Sequence, residues 1–311
     1  MTHKVTIGLP VYNGEAFIKE SLDSLLAQTY SDFELIISDN ASTDHTEAIC
    51  REYAANDSRI SYHRVDENLG AVPNFNRVFE LSNSQYFKWA AADDVCAPNF
   101  LARCVDILDN NPSVVWCHSR STHIDAKGNE LSDVDAVNVS YAARQASKSH
   151  ERFRAVLLGA GGCLDTYGLI RSEVIRKTPL FLPFYGAEKV FIAELALRGQ
   201  YQEINEILFY PRVHSGGAGN LQTEVEQQAY MSTRSGSYKF PRLQMLKGYL
   251  QAILRSDISV KEKSQCLLVI SRYLLQVEKW KRILVRTLSG AGIKGGNVDR
   301  IQQLEKQNPL S

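Results

Sequence analysis

Residues 5–44, VTIGLPVYNGEAFIKESLDSLLAQTYSDFELIISDNASTD, contain the pattern that decides the fold. A short β-branched run ends at Pro10, which is typical of a strand that leads into a loop. Apolar residues then recur at helical spacing over 15–28. Residues 33–39 form an apolar run without alternation, which indicates a strand buried on both faces of a parallel sheet. The stretch therefore predicts a strand, a helix and a second parallel strand that ends at Asp39.

The same alternation continues through the first two thirds of the chain. It predicts further strands, separated by helices, near 60–65, 85–90, 113–117, 166–171 and 207–214. Strands and helices that alternate at this interval indicate right-handed crossovers and a mainly parallel sheet. Pro211, within the last of these strands, favours a position at the sheet edge. After Gly219 the pattern predicts helices alone, so we expect an α/β domain over 1–219 and an α-helical region over 220–311.

The composition excludes several classes of protein. The 311 residues are 44% apolar and 23% charged, which is a globular composition. Lys and Arg number 35, as do Asp and Glu, so the chain lacks the basic excess of a dedicated nucleic-acid-binding protein. The six cysteines form no Cys-x-x-Cys pair, which favours reduced, packed thiols over a disulfide framework or a zinc site. Because neither a signal peptide nor a membrane-spanning run is evident, the cytoplasm is the simplest compartment.

Acidic side chains stand where this architecture binds ligands. Asp39 ends the second strand, and Asp93 and Asp94 directly follow the apolar stretch YFKWAAA at 86–92. Ligands of parallel α/β sheets bind at the carboxyl ends of the strands, so we expect these carboxylates to share one cleft. Asp39 suits hydrogen bonds to a ribose or a base, and the adjacent pair suits a divalent cation that relieves its repulsion. Glu188, on the inward face of a predicted helix over 187–198, suits a general base.

Each of these residues also has a structural interpretation. Asp39 can close an Asx turn, and an adjacent Asp pair can cap a helix. Glu188 lies in a first helical turn, where the helix dipole favours a carboxylate. His214, which follows Arg212 at the end of the last strand, can face a phosphate or a metal ion. The residues alone leave these alternatives open.

Taken together, the segments resemble the inverting family 2 glycosyltransferases, whose catalytic domain has the GT-A fold. The resemblance covers about residues 3–217 and is most specific over the opening stretch, 5–44. It implies that Pro10, Val11 and Tyr12 flank the nucleobase of a nucleotide-sugar. It also implies that Asp39 contacts the base or the ribose.

Three later segments resemble the rest of the family's active site. ENLG, at 67–70, precedes a stretch like the approach to the metal-binding D-x-D motif, which implies donor contacts from Asn68 and Gly70. The same resemblance implies that Asp93 contacts the cation and the diphosphate, with Asp94 as a further metal ligand. AEKVFIAELALRG resembles the segment that carries the catalytic base, which implies that role for Glu188. RVH, at 212–214, resembles the strand-end element near the diphosphate, which implies a donor contact for Arg212 and metal ligation by His214.

The resemblance implies a hexosyltransferase that uses a nucleotide-sugar, by default a UDP-sugar, and Mn²⁺ or Mg²⁺. Its acceptor is expected to be a glycan or a lipid-linked molecule in cell-surface polysaccharide or glycolipid assembly. Ala91 stands at the usual first Asp of D-x-D, so a catalytically inactive binding or scaffold protein of the same fold is the alternative. A sugar-nucleotide pyrophosphorylase is disfavoured, because the loop LPVYNGEAF lacks the Gly-rich, Arg-containing sequence of that class.

The C-terminal region carries most of the positive charge. Residues 221–311 hold 15 Lys or Arg and 7 Asp or Glu. Residues 269–288 alternate apolar and basic side chains, as a basic amphipathic helix does. One interpretation places this helix on an anionic membrane, which gives peripheral contact at the inner face. The other packs it on the catalytic domain or on a second subunit of a homodimer.

Overall fold

The computed structural model describes residues 3–131, 141–159, 164–217, 221, 224–233 and 241–275. Its strands are β1 Val5–Val11, β2 Phe33–Asp39, β3 Ile60–Arg64, β4 Tyr86–Trp89, β5 Val95–Cys96, β6 Val114–Ser121, β7 Leu169–Arg171 and β8 Gln200–Tyr210. Its helices are α1 Ile18–Leu26, α2 Thr46–Asn56, α3 Ala71–Glu80, α4 Phe100–Asn110, α5 Ser149–Leu158, α6 Ser172–Ile175, α7 Ala187–Arg198, α8 Glu224–Met231, α9 Pro241–Arg255 and α10 Val260–Leu274.

The eight strands form one sheet in the order β3-β2-β1-β4-β7-β6-β8-β5. Parallel pairs join β1 to β2 and β4, β2 to β3, and β6 to β8. β7 is antiparallel to both β4 and β6. Every residue of β1 is buried, because β2 and β4 flank it and helices cover both of its faces. The predicted α/β class with a mainly parallel sheet is confirmed.

The last strand differs from its prediction in extent and in position. β8 begins at Gln200 rather than near 207, and it lies inside the sheet, so the predicted edge position was wrong. The edge strand is β5, a two-residue antiparallel strand in which Val95 pairs with Tyr210. Pro211 follows the end of β8, so its missing N–H removes no hydrogen bond from the ladder.

Helices cover both faces of the sheet. α1 and α4 pack on one face through a cluster that includes Leu22 and Phe100. α3 and α7 pack on the other face through a cluster that includes Val78 and Phe191. Burial of apolar side chains on both faces explains why β1 and β2 are apolar runs rather than alternating ones. This arrangement leaves the carboxyl ends of β1, β2 and β4 at one edge of the core.

A third apolar cluster joins the C-terminal helices to the α/β domain. α9 packs on α7, and α10 packs on α5. α10 buries Cys266, Val269, Ile270 and Tyr273 in this cluster. Within the described part of the chain, α10 therefore packs on the α/β domain, whereas most of the predicted amphipathic helix at 269–288 lies outside the described residues. The boundary between 1–219 and 220–311 stays a prediction.

The described cysteines fit the prediction of reduced thiols. Five of them are buried and free: Cys50, Cys96, Cys104, Cys117 and Cys266. Across the described ranges we find no helix with both the length and the apolar character needed to cross a membrane.

His118, on β6, is a buried imidazole in the core of the sheet. Its ring lies edge-on to Phe100 and Phe209, with centroids 5.6 and 5.0 Å away. Nδ1 is 2.6 Å from the carbonyl oxygen of Ser119, whereas Nε2 is buried and has no hydrogen-bond partner among the residues that the structure describes. Burial lowers the pKa of His118 to about 3. The folded protein therefore holds this ring neutral where an unfolded chain would protonate it.

We predict that the His118→Phe variant loses less stability in acid than the native protein does. In the native protein the free energy of unfolding falls as the pH drops from 6.5 towards 3, because the unfolded chain gains a proton there that the folded chain does not. This group contributes at most about 1.4 kcal/mol per pH unit. Urea unfolding at pH 7.5, 6, 5 and 4 measures the slope, and equal slopes for both proteins would contradict the prediction.

Candidate active site

An opening at the carboxyl ends of the strands, here the main cleft, has a volume of about 520 Å³. Residues that follow β1 and β4 form its floor, and the start of α3 and residues 214–217 form its sides. Seven of the predicted site residues line it: Pro10, Val11, Tyr12, Asn68, Gly70, Asp93 and His214. Segments from the first 93 residues and from the end of the α/β domain therefore meet in one cleft.

Three other predicted site residues, Asp39, Asp94 and Arg212, are absent from the cleft lining. Asp39 is fully buried. Its Oδ1 accepts from the backbone N–H of Ser42 at 2.8 Å, and its Oδ2 accepts from the Tyr62 hydroxyl at 2.6 Å and from Arg64 at 2.8 Å. Burial and the Asp39 carboxylate raise the pKa of Tyr62, so its hydroxyl stays a donor. Asp39 thus holds the loop after β2, and its contact with a nucleobase stays a prediction.

The next residue, Asn40, links this loop to the side of the main cleft. Its Nδ2 donates to Asn68 Oδ1 at 2.9 Å and to the Gly70 carbonyl at 3.0 Å. Its Oδ1 accepts from the backbone N–H of Leu69 at 3.0 Å. Asn40 lines the cleft although only 3% of it is exposed, so these bonds position both the residue and the 68–70 loop. Asn40 is not among the site residues predicted from the sequence.

The 68–70 loop in turn holds the end of α8. Thr233 donates its backbone N–H to Leu69 O at 3.2 Å and its hydroxyl to Asn68 O at 2.8 Å. Gly70 has φ +88°, and a Cβ there would lie 2.5 Å from Ser232 Cα. Only glycine permits this backbone conformation and this close approach together. This contact helps to place Tyr230, which lies in the last turn of α8, in the lining of the main cleft.

Asp93 and His214 form a pair on the cleft wall. Asp93 Oδ2 lies 2.9 Å from His214 Nε2, and the Asp93 side chain is 32% exposed. The neighbouring Asp94 is buried instead, and its Oδ1 accepts from the backbone N–H of Arg212 at 2.9 Å. Burial, followed by the negative charge of Asp93, raises the pKa of Asp94 to about 7. The two adjacent aspartates therefore have different environments, one in the cleft and one in the wall behind it.

Arg212 is a structural residue in this arrangement, with a side chain only 1% exposed. Its guanidinium donates to the carbonyl oxygens of Asp93 and Asp125 at 2.8 and 3.1 Å and to Glu20 at 2.5 Å. It also lies over the ring of Phe17, 4.9 Å from the centroid. These contacts occupy the guanidinium behind the cleft wall. The expected contact between Arg212 and the nucleotide-sugar stays a prediction.

Asp93 and His214 are the cleft residues that suit a divalent cation. A carboxylate and an imidazole match the ligand preferences of Mn²⁺, and Mg²⁺ also binds one or two carboxylates together with substrate phosphates. Within the described residues, no three His, Cys, Asp or Glu side chains gather into a metal-binding group. A site here would therefore draw its remaining ligands from a bound phosphate group and water. The third expected ligand, Asp94, accepts from the Arg212 backbone N–H through Oδ1, and its metal ligation stays a prediction.

Glu188 faces a second opening, here the side cavity, of about 390 Å³. Gly186 precedes α7 with φ +91°, and Glu188 stands in the first turn of the helix. The side cavity and the main cleft share four lining residues: Ala71, Phe75, Tyr167 and Tyr230. The two spaces are therefore neighbours, with the Asp93 and His214 pair on one side of the shared wall and Glu188 on the other.

Tyr230 lines both spaces, and no sequence pattern indicated that it belongs to the site. Desolvation by the surrounding side chains, with contributions from the negative charges of Asp93 and Glu188, raises the pKa of Tyr230, although 39% of the residue is exposed. Its hydroxyl is therefore a neutral group at physiological pH, in the electrostatic field of both carboxylates. The position of Tyr230 depends on the contact between α8 and the 68–70 loop, which no local pattern encodes.

We predict that Gly70→Ala destabilises the protein more than Gly128→Ala. Both glycines have a left-handed backbone, which costs roughly 1 to 2 kcal/mol for alanine. A Cβ at Gly128 would meet only Glu20 Oε1 at 3.6 Å, whereas a Cβ at Gly70 would overlap the backbone at Ser232. Chemical denaturation should separate the two variants by about 1 kcal/mol or more, with faster amide exchange over 224–233 in Gly70→Ala alone. Equal losses of unfolding free energy in the two variants would show that the contact between Gly70 and the end of α8 is not tight.

Comparison with known proteins identifies the family. The family model described as Glycosyl transferase family 2 matches residues 6–178. An uncharacterized glycosyltransferase of Rickettsia typhi is 30% identical over 271 residues, which are 82% of this chain and 79% of the relative. An uncharacterized glycosyltransferase of Nostoc sp. is 28% identical over 241 residues, which are 75% of this chain and 71% of the relative.

Two solved structures share the fold. S. aureus TarS 1-349, in complex with UDP, superposes with a TM-score of 0.59 at 16% identity and covers 87% of this chain and 70% of its own. The mannosyltransferase PcManGT from Pyrobaculum calidifontis, in complex with GDP-Man and Mn²⁺, has a TM-score of 0.52 at 17% identity and covers 93% of this chain and 80% of its own. With the mixed sheet described above, these findings show that the chain has the GT-A fold and belongs to glycosyl transferase family 2.

Proposed function

We propose that the chain is an inverting hexosyltransferase that moves a sugar from a nucleoside diphosphate sugar to an acceptor hydroxyl. The observation that carries this proposal is the pair of neighbouring spaces. Asp93 and His214 line one of them, Glu188 lines the other, and four residues line both. Transfer of a sugar needs a donor site and an acceptor site that meet at the reacting carbon, and two neighbouring spaces with shared lining residues support the proposal.

The main cleft is the proposed donor site. Its volume of about 520 Å³ lies within the range of small-molecule sites. TarS is described with UDP and with UDP-GlcNAc, and PcManGT with GDP-Man and Mn²⁺, which supports a nucleoside diphosphate sugar. A UDP-sugar is the default donor. Pro10, Val11 and Tyr12 then contact the nucleobase, and Asn68 and Gly70 line the opposite side.

Asp93 and His214 would hold a divalent cation, Mn²⁺ or Mg²⁺, beside the diphosphate. When bound, such a cation neutralises the negative charge that builds on the departing diphosphate. Asp93 is exposed to the cleft and can reach the cation. Asp94 instead accepts a hydrogen bond from the Arg212 backbone N–H and so supports the cleft wall. Asp93 and His214 would supply a carboxylate oxygen and an imidazole nitrogen as ligands, and the diphosphate and water would supply the others.

Glu188 is the proposed general base. An acceptor hydroxyl is a poor nucleophile at neutral pH, and a carboxylate within reach accepts its proton as it attacks. The new bond joins the acceptor oxygen to the anomeric carbon, and the bond from that carbon to the diphosphate oxygen breaks. The nucleoside diphosphate leaves with the bonding electron pair. Because attack comes from the side opposite to the leaving group, one displacement inverts the anomeric carbon.

The proposal extends to the biological setting expected from the sequence. We place the reaction in the cytoplasm, in the assembly of a cell-surface polysaccharide or glycolipid. The acceptor is then a glycan or a lipid-linked molecule. The proposal also includes peripheral membrane contact through the basic C-terminal helices and the formation of a homodimer. The alternative of an inactive binding protein rests on Ala91 and Ala92, which line the main cleft without a ligand atom in their side chains.

We predict that Glu188→Gln abolishes transfer but leaves donor binding nearly unchanged. The amide keeps the size of the side chain and cannot accept the proton, so the rate should fall by about 100-fold to 10,000-fold. Release of nucleoside diphosphate from a panel of UDP- and GDP-sugars measures turnover, and calorimetry with UDP and Mn²⁺ measures binding. Glu173→Gln, on the exposed surface of α6, is the matched control. Near-normal turnover by Glu188→Gln would remove this residue from the role.

We also predict that Asp93→Asn weakens UDP binding and its dependence on Mn²⁺ together. Loss of the carboxylate charge should raise the Kd measured with Mn²⁺ by about tenfold or more, close to the value measured with excess chelator. Asp106→Asn, on the exposed face of α4, controls for a change of net charge. If the native protein binds UDP equally well with and without chelator, the proposed cation site is wrong.

A further inference from the structure

Tyr230 has an available hydroxyl group at the place where the two spaces adjoin. Of the other three residues that line both spaces, Ala71 and Phe75 have no polar side-chain atom, and the ring of Tyr167 stacks on Phe209 with the centroids 5.8 Å apart. Tyr230 is 39% exposed, and its hydroxyl has no hydrogen-bond partner among the described residues. A phenol hydroxyl is neutral at physiological pH and can donate one hydrogen bond and accept another. A ligand that extends from one space into the other therefore meets a polar group at Tyr230.

Contacts on two sides hold the helix that carries Tyr230. Beside the main cleft, Thr233 donates its backbone N–H and its hydroxyl to carbonyl oxygens of the 68–70 loop, at 3.2 and 2.8 Å. Beside the side cavity, Gln228 Nε2 donates to the carbonyl oxygen of Pro183 at 3.4 Å. Pro183 belongs to the loop that leads into α7, the helix of Glu188. One loop from each space thus fixes the position of α8.

The part of a substrate that lies at this boundary follows from the proposed reaction. Asp93 and His214 are then beside the diphosphate, and Glu188 is beside the acceptor hydroxyl. The hexose lies between them, because one of its bonds breaks towards the diphosphate and another forms towards the acceptor. A residue that lines both spaces is therefore a neighbour of the hexose rather than of the nucleobase.

We propose that the Tyr230 hydroxyl forms a hydrogen bond with a hydroxyl group of the transferred hexose, which makes Tyr230 a residue that selects the donor sugar. This inference rests on the proposed function, because it assigns a binding residue to the sugar that is transferred. The bond involves the sugar and not the nucleoside diphosphate. It therefore increases the affinity for a nucleotide-sugar, by a factor of about three to ten for one neutral hydrogen bond, and leaves the affinity for the free nucleotide unchanged.

Titration calorimetry on the full chain with Mn²⁺ tests the proposal by comparing each nucleotide-sugar with its nucleoside diphosphate. The panel is UDP-glucose, UDP-galactose, UDP-GlcNAc and GDP-mannose. For the nucleotide-sugar that binds most tightly, Tyr230→Phe should raise the Kd by about threefold to tenfold and should change the Kd of the free nucleotide by less than about twofold. Equal changes for both ligands, no change for either, or a native protein that binds none of the four would overturn the proposal.

Two further variants control for the loss of a tyrosine hydroxyl. Tyr167→Phe changes the other tyrosine that lines both spaces. Tyr53→Phe removes a hydroxyl that donates to Asp23 at 2.7 Å and lines neither space, so it should leave every Kd unchanged. If Tyr167→Phe weakens binding of the nucleotide-sugar alone and Tyr230→Phe does not, the assignment to Tyr230 is wrong.

Nucleotide-sugars that lack one ring hydroxyl identify the partner of Tyr230. In the native protein, removal of the hydroxyl that Tyr230 contacts should weaken binding by about threefold to tenfold. In Tyr230→Phe the same removal should have little effect, because the hydrogen bond is already absent. If each removal weakens binding equally in the native protein and in the variant, Tyr230 contacts no sugar hydroxyl and the proposal fails.

Release of nucleoside diphosphate from the same panel separates this inference from the proposed function. If no donor is turned over, yet Tyr230→Phe weakens binding of the nucleotide-sugar alone, the inferred contact holds and the transferase proposal fails. If donors are turned over and Tyr230→Phe binds them as the native protein does, the transferase proposal holds and the inferred contact is wrong.

Discussion

The buried guanidinium of Arg212 is the interaction on which the geometry of the cleft depends. A desolvated cation is costly unless every donor finds an acceptor, and here the acceptors come from separate parts of the chain. They are the carbonyl oxygens of Asp93 and Asp125 and the carboxylate of Glu20, while the Arg212 backbone N–H binds Asp94. The ends of β4 and β8 and helix α1 are thereby fixed together. As a result Asp93 and His214, 121 positions apart in the chain, face each other at 2.9 Å.

A second network fixes the opposite side of the cleft. Asn40 binds the 68–70 loop, and that loop holds the end of α8 through Thr233 and the close approach at Gly70. These contacts hold the end of α8, and Tyr230 of that helix lines both spaces. Few residues are proposed to take part in the reaction itself, and most of the polar side chains around them hold loops in position. This division is common where a rigid scaffold presents binding residues on its loops.

Local patterns predicted most of the first half of the fold. The apolar run 33–39 coincides with β2, and the helices predicted over 15–28 and 187–198 match α1 and α7 to within a few residues, because burial on a sheet imposes those periods. The edge of the sheet was predicted wrongly, because β5 has only two residues and leaves no pattern. The sequence predicted which residues lie near the cleft. It did not predict which of the two adjacent aspartates faces the cleft: Asp93 lines it, and Asp94 lies behind its wall. That choice depends on Arg212, more than a hundred residues away, and so does not follow from local sequence.

The central claim is that Asp93 and His214 hold a cation beside a nucleoside diphosphate in the main cleft. Crystals of the full chain grown with UDP and Mn²⁺, measured at the manganese absorption edge, test it directly through the anomalous signal of the metal. The account predicts one strong peak within coordination distance of the Asp93 carboxylate and the His214 imidazole, with the diphosphate on its other side and the uracil near Pro10 and Tyr12. A manganese peak away from both residues, or UDP bound outside this cleft, would contradict it.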